Sequence, residues 1–537
     1  MERQRATVLG LTACALGAAV RDARRKAATA TAAVVGAAGG ERGAEAAPFR
    51  LGYVTDVEGN LDYFARFVDI CPVLSYARGA IAGDPDAELV LEPGCHFVFG
   101  GDLVDKGPGD IRLCRQLVAL KRRHPDRVFL LVGNRDLNKV RYTAELGDDD
   151  MARPIDAIPQ AHWDPKATTL REHLSAVTGG GDEAALRAAN TREERLRYMH
   201  QHTLGCPDTF EFRRQELALL AGRDLSCVTD AQVVENFIAD IASEDGALRQ
   251  YLAHADVAVV LGNTLFVHGA VDAQTMAFVP SHTRFELPQV KQPPAAAGMG
   301  VADWAAGLNR YLREGLADHA ARPTWDAARR SRGGESLMAL QNRAAMWGRT
   351  VVSNCYADGG NITSGSAVAK MEEAWARGEE DSLAWEGVSS DPRDPAVAAW
   401  LLRGGVRRVV VGHKPSGDSP AALSSSYTGV EVISADTSFS DTSAADNRGA
   451  AVCSLLLRGE SAESNRAVMH GTLRDGRAYR SELPTLRSGD TGGAGGDRQL
   501  GTEAEGGWWW KARLAHGGGY VQCRGTGRTV EYRDVEV

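Results

Sequence analysis

The residues of this chain best suited to chemistry fall in five short polar segments: DVEGN (56–60), GGDLVDKGPGD (100–110), GNRD (133–136), VHGA (267–270) and GHKPSGD (412–418). They supply carboxylates (Asp56, Glu58, Asp102, Asp105), an amide (Asn134) and two imidazoles (His268, His413), the donor types that hold divalent cations. Glycine beside a ligand lets the backbone turn sharply and approach closely. Two cations about 3.5–4 Å apart, bridged by a carboxylate, polarise a phosphate and activate a water together. One such segment alone says little, because Gly-Asp and Gly-His follow strands throughout α/β proteins. All five in series, each after an apolar run, form a specific signal.

The apolar runs are the elements that must position these groups. RLGYVT (50–55), HFVFGG (96–101), RVFLLV (127–132), VAVVL (257–261), TLFVHG (264–269), RRVVVG (407–412) and VEVISA (430–435) read as strands buried on both faces. Gly262-Asn263 between two of them is a hairpin signal. In DIRLCRQLVALKRRH (110–124) the apolar residues recur at helical spacing, with Asp110 as the expected N-cap. Strand-helix alternation of this kind specifies an α/β layered domain, whose ligands bind outside the carboxyl ends of the strands.

The order and identity of the five segments resemble the calcineurin-like metallophosphoesterase superfamily. GDLVDKGP is closest to the GDxVDRGP motif of the branch holding the phosphoprotein phosphatases and the bacterial diadenosine tetraphosphatases. The resemblance spans roughly residues 50–440, with two insertions unmatched. It implies a four-layer αββα sandwich, a binuclear metal centre and a metal-activated water. Carried over by motif, Asp56 binds the first metal, Asp102 bridges, and Asn134, His268 and His413 complete the second site, with Asp105 beside the catalytic group.

Two departures from the family pattern matter. Where the first motif reads DxH, this chain has Asp56-Val57-Glu58. Glu58 as a ligand makes the first site all oxygen, which favours Mn²⁺ or Mg²⁺, with Fe or Zn as alternatives; otherwise Glu58 orients a water. Where the family has GNH(D/E), with a histidine that protonates the leaving group, this chain has Arg135. Arginine keeps its proton, so Arg135 cannot serve as a general acid, but it can hold a phosphate oxygen and stabilise developing charge.

Other residues admit a functional and a plain reading. Lys106 either contacts phosphate or pairs with Asp105 or Asp110. Asn138, Lys139 and Arg141 either make a basic rim or begin a solvated helix. AMWGRT (345–350) resembles an LWxR stretch of some bacterial phosphatases, making Arg349 a candidate phosphate clamp and Trp347 a wall. Lys414 adjoins His413 and is a weak candidate to face substrate. Asp418 and Asp436 either orient His413 or cap turns. His96, His124 and His202 read as structural.

Composition is ordinary for a soluble globular protein: 537 residues, 44% hydrophobic, 24% charged, net charge −9. The acidic balance argues against a nucleic-acid surface. Nine scattered cysteines without a CxxC pair read as free thiols. No stretch reads as a stable membrane span. Residues 1–48 are Ala- and Arg-rich, either an organellar (chloroplast or mitochondrial) transit peptide or a plain extension, which leaves the compartment open. The metallophosphoesterase domain is expected over 49–485, with insertions at about 140–255 and 285–400. A Gly-rich linker (486–507) and a small β-meander (508–537) follow. The expected activity is metal-dependent hydrolysis of phosphoric monoesters or anhydrides on a phosphorylated small molecule, nucleotide or phosphoprotein. The alternative is a catalytically silent phospho-ligand-binding or protein-interaction module.

Overall fold

The computed structural model describes residues 49–80, 83–85, 87–160, 167–271, 276–280, 298–326, 331–341, 395–423, 429–437, 451–486, 496–526 and 529–537. Its strands are β1 (Arg50–Val54), β2 (Leu74–Tyr76), β3 (Leu89–Leu91), β4 (Cys95–Phe99), β5 (Val128–Leu131), β6 (Ala255–Asp256), β7 (Ala258–Leu261), β8 (Thr264–Val267) and β9 (Arg408–Val411). They continue as β10 (Ala421–Leu423), β11 (Glu431–Ser434), β12 (Val452–Arg458), β13 (Arg466–Thr472), β14 (Ala478–Glu482), β15 (Glu503–Ala504), β16 (Trp508–Arg513), β17 (Tyr520–Thr526) and β18 (Thr529–Val535). Each of the seven apolar runs forms a strand.

The strands build two mixed sheets, ordered β14-β13-β12-β1-β4-β5-β6 and β10-β11-β9-β8-β7. β1, β4, β5 and β6 run parallel, as do β8, β9 and β11, so their carboxyl ends share one rim in each sheet. Alternation along the strands makes the layers. Leu51, Tyr53, Val98 and Leu131 of the first sheet pack with Phe266, Val410 and Ile433 of the second in one buried cluster. The alternate residues Phe97, Phe99 and Leu130 face helices, as do Leu265 and Val409. The helices Leu61–Ile70, Asp110–Arg123 and Ala247–His254 cover the first sheet, and Val301–Ala321 and Pro395–Arg403 the second. This is the expected α/β sandwich. β7 and β8 are joined by Gly262-Asn263 with a positive φ at Gly262 alone, as a type II′ hairpin requires.

The described residues between β5 and β6 form helices joined by turns, with no strand among them, and carry their own core, including Tyr142, Leu174, Leu196, Phe210 and Phe237. Local signals start these helices: Thr169 with Glu172 and Thr229 with Gln232 form capping boxes, and Asp182 and Thr191 cap two others. A π-helical turn occupies Met199–Thr203.

Two differences from the sequence reading have physical causes. Asp110 is the first residue of its helix and not the N-cap, which is Gly109. The orphan N–H groups of Ile111 and Arg112 are instead capped from afar by Glu216, at 3.0 Å each, so Asp110 is released for other work. The strands β12 to β14 stand outside the seven apolar runs, although VCSLLLR has the same apolar form; β12 lies antiparallel beside β1 within the first sheet. β15 to β18 form a separate four-stranded sheet. Among the described residues the cysteines are free thiols, and no helix is long and apolar enough to cross a membrane.

Candidate metal centre

Each candidate ligand sits where a strand ends. Asp56 and Glu58 follow β1, Asp102 and Asp105 follow β4, and Asn134 opens the helix after β5. His268 follows β8 and His413 follows β9. Because β1 lies against β4 and β4 against β5, these turns are stitched together: Asp56 N–H donates to the Gly101 carbonyl at 3.0 Å and Glu58 N–H to the Asp102 carbonyl at 3.0 Å. Gly133 has no room for a side chain, since a Cβ there would stand 2.1 Å from Asp102 Oδ1.

The backbone itself marks the site. Among the described residues six non-glycine residues have positive φ, and five are Asp56, Glu58, Asp102, Asp105 and His413. Left-handed conformations cost an L-residue about 1–2 kcal/mol, and strain of this kind clusters where function over-determines the geometry.

The donor atoms converge in two overlapping sets. One carboxylate oxygen each from Asp56, Glu58 and Asp102 lie within 4.8 Å of one another, and so do donor atoms of Asp102, His268 and His413. Asp102 belongs to both. His268 is fully buried, its Nδ1 donating to the Gly100 carbonyl at 2.9 Å. That fixes the tautomer and turns Nε2 toward Asn134 Oδ1 at 3.1 Å and Asp102 Oδ1 at 3.3 Å, the orientation a metal-binding imidazole needs. The His413 ring lies 5.3 Å from that of His268, and its backbone N–H donates to Asp56.

The field in this cluster is strongly negative. Burial raises the Asp56 carboxyl well above its ordinary range, and Asp436, Asp102 and Glu58 raise it further. Burial lowers His268, but Asp102 and Asp56 outweigh it and lift the imidazole to about 10. A site that stabilises an imidazolium so strongly also favours a cation in the proton's place. The donors present therefore fit divalent metal ions.

Arg135 stands among three carboxylates. Its Nε is 2.7 Å from Glu58 Oε1 and 3.6 Å from Asp102 Oδ2, and its Nη1 is 3.3 Å from Asp105 Oδ2. Among the described residues Nη2 has no protein partner. Lys106 pairs with Glu58 at 3.2 Å, and not with Asp105 or Asp110. Glu58 thus faces two cationic side chains as well as the carboxylate cluster. Lys139 is not a solvated helix start: it is 2% exposed and pairs with Asp105 at 2.6 Å. Burial would raise Asp105, but Lys139 and Arg135 outweigh it and hold the carboxyl below its ordinary range.

Three supporting groups escaped the sequence reading. Asp136 is fully buried and accepts from Leu103 N–H at 2.7 Å and Gly133 N–H at 2.8 Å, tying the Asp102 loop to the Asn134 turn. Asp110 Oδ1 accepts from Asp105 N–H at 3.1 Å while its other oxygen pairs with Arg213. Thr209 donates to the Asp105 carbonyl. The GNRD acid was visible as a residue, whereas Arg213 and Thr209 come from the helical insertion and had no local signal.

Of the remaining candidates, Lys414 is 1% exposed, and Asp418 accepts from Arg474 N–H at 3.2 Å, a turn contact. Asp436 is buried close enough to Asp56 to raise its pKa. Arg349 and Trp347 lie outside the described residues.

No family model and no curated protein matches the chain. Solved structures to which the chain shows a likeness include a cold-active protein-tyrosine phosphatase of the psychrophile Shewanella sp., at 15% identity over 81% of this chain and 80% of that one, TM-score 0.35. They also include a Saccharomyces cerevisiae protein serine/threonine phosphatase with similarity to human phosphatase PP5, at 11% identity over 76% and 72%, TM-score 0.29. These likenesses are distant.

Proposed function

We propose that the chain is a metal-dependent hydrolase of phosphoric monoesters or anhydrides that works with two divalent cations, Mn²⁺ or Mg²⁺ by preference. The observation that carries this reading is the membership of Asp102 in both donor sets, which is what a carboxylate bridging two ions requires. Asp56, Glu58 and Asp102 would hold one ion; Asp102, Asn134, His268 and His413 would hold the other. Bound there, the ions would polarise the phosphate and lower the pKa of water.

The chain's own residues do the rest. Arg135 presents Nη2 toward a phosphate oxygen while Glu58 on Nε and Asp105 on Nη1 fix its orientation. Lys139 and Asp110 hold Asp105 in place. Lys106 adds positive charge at the rim, and Arg349 is a further candidate for phosphate. No group at position 135 can protonate a leaving group, so substrates that leave as stable anions are favoured: nucleotide anhydrides and aryl phosphates over alkyl monoesters such as phosphoserine.

The test is a phosphosubstrate panel with Mn²⁺ on wild type and Arg135→His. The expected result is turnover of p-nitrophenyl phosphate or a nucleotide by wild type, with the histidine variant gaining on alkyl monoesters. One observation favours a silent phospho-ligand-binding module instead: the residue beside the cluster, Arg135, can hold a phosphate but cannot donate a proton. Metal binding without turnover of any substrate by either protein would select that reading.

A further inference from the structure

The sheet β15–β18 lies C-terminal to all five polar segments, yet its interior reaches the loop that carries His413. In β16, Trp510 pairs with Gln522 and Ala512 with Val521, so Lys511 is the extra residue of a β-bulge. Bulges re-aim a side chain and recur beside active sites. This one turns a lysine inward: Lys511 is 1% exposed, in a strand position where a charge is normally left to solvent. Its ammonium donates to the Ser416 carbonyl, and it lies close enough to Asp418 to stabilise that carboxylate. Two residues earlier, Trp509 Nε1 donates to the Ala422 carbonyl at 3.0 Å. All these partners belong to residues 416–422, directly after His413.

Further supports of this loop come from the second sheet, besides the Arg474 N–H that Asp418 accepts. Ser416 N–H donates to the Asp436 carbonyl at 2.6 Å and Ser416 Oγ to Ser434 Oγ at 2.8 Å. His413 itself is held in a left-handed conformation with φ of 66°. A loop carrying such a residue needs fixing from more than one side, and Lys511 holds it from the C-terminal sheet.

We propose that Lys511 is a positioning residue for the candidate metal centre, and that the C-terminal sheet acts as a buttress setting His413 for its ion. The proposal rests on the two-cation reading for the ion, and on the Ser416 contact for the buttress. Lys511→Met keeps an apolar chain of similar length and removes the ammonium alone, so a positioning role shows as a loss confined to 412–418. That separates positioning from mere structural support.

The experiment uses the full chain as wild type, Lys511→Met and Lys511→Arg, with two readouts: hydrogen exchange of the 412–418 backbone and calorimetric titration with MnCl₂. In Lys511→Met, exchange across 412–418 is expected to quicken at least tenfold while the remaining core stays protected. Affinity for one of two Mn²⁺ ions should fall tenfold or more, with partial recovery in Lys511→Arg. Unchanged exchange at 412–418, or loss of protection throughout the core, overturns the proposal. Faster exchange at 412–418 in a protein that binds no Mn²⁺ even as wild type upholds the buttress and overturns the metal reading alone. If Lys511→Met does not fold, Lys511→Arg decides: exchange at 412–418 as slow as in wild type with weakened Mn²⁺ binding refutes the buttress, and faster exchange supports it.

Discussion

Replacing Asp136 by asparagine should uncouple the two turns that supply Asp102 and Asn134. The carboxylate accepts from Leu103 N–H at 2.7 Å and Val104 N–H at 3.4 Å on one oxygen, and from Gly133 N–H at 2.8 Å on the other. Burial and the neighbouring Asp102 push this carboxyl up to about 7, while the three donors favour its ionised form. Asparagine offers one oxygen only, so its amide N–H₂ must confront either Gly133 N–H or the Leu103–Val104 pair. Confronting Gly133 is the cheaper choice and leaves one buried donor unpaired. The cost is about 2–3 kcal/mol, from a lost charge-assisted bond and an unsatisfied N–H. That is less than the roughly 5–15 kcal/mol that holds a typical domain, so the variant should fold. Urea unfolding reads the stability loss. Mn²⁺ titration reads the site, where loss of a supporting group typically weakens binding about 10–100-fold. Wild-type stability together with wild-type Mn²⁺ affinity would refute the claim that Asp136 clamps the two turns.

Lys139→Met removes one partner of a buried pair whose side chains are 3% and 1% exposed, leaving Asp105 dependent on Arg135. Breaking such a pair costs about 3–5 kcal/mol, and Lys139→Arg should recover part of it in the same urea measurement. A pH effect follows from two buried histidines. Burial lowers His200 to about 3 and His319 to about 4, whereas the unfolded chain titrates them near about 6.5. Between these values the unfolded state binds more protons, so stability falls as pH drops through about 6.5 and levels off below about 3. The slope is up to about 1.4 kcal/mol per pH unit for each histidine. The double variant His200→Gln/His319→Gln should flatten it when urea unfolding is compared at about pH 7 and about pH 5.

The site-bearing framework was legible because a strand buried on both faces needs an unbroken apolar run, and the polar residue that ends such a run is conspicuous. RRVVVG before His413 and TLFVHG before His268 show this directly. The same signal was present in VCSLLLR, but no polar motif follows it to draw notice. What sequence could not reveal was long-range support. Glu216 caps a helix about a hundred residues earlier in the chain, Arg213 steadies Asp110, and Lys511 reaches Ser416, each through tertiary packing that no local pattern records. Lys139 was misjudged for a related reason: a lysine near a helix start reads as solvated unless the buried Asp105 beside it is known. The left-handed backbone of Asp56, Glu58, Asp102, Asp105 and His413 is likewise invisible where glycine does not announce it.

The central claim is that Asp102 serves two cations at once. Calorimetric titration of wild type and Asp102→Asn with MnCl₂ tests it most directly. Two ions bound by wild type, and no more than one, bound weakly, by the variant, is the expected result. Fewer than two ions in wild type, or two ions bound unchanged by Asp102→Asn, would contradict it.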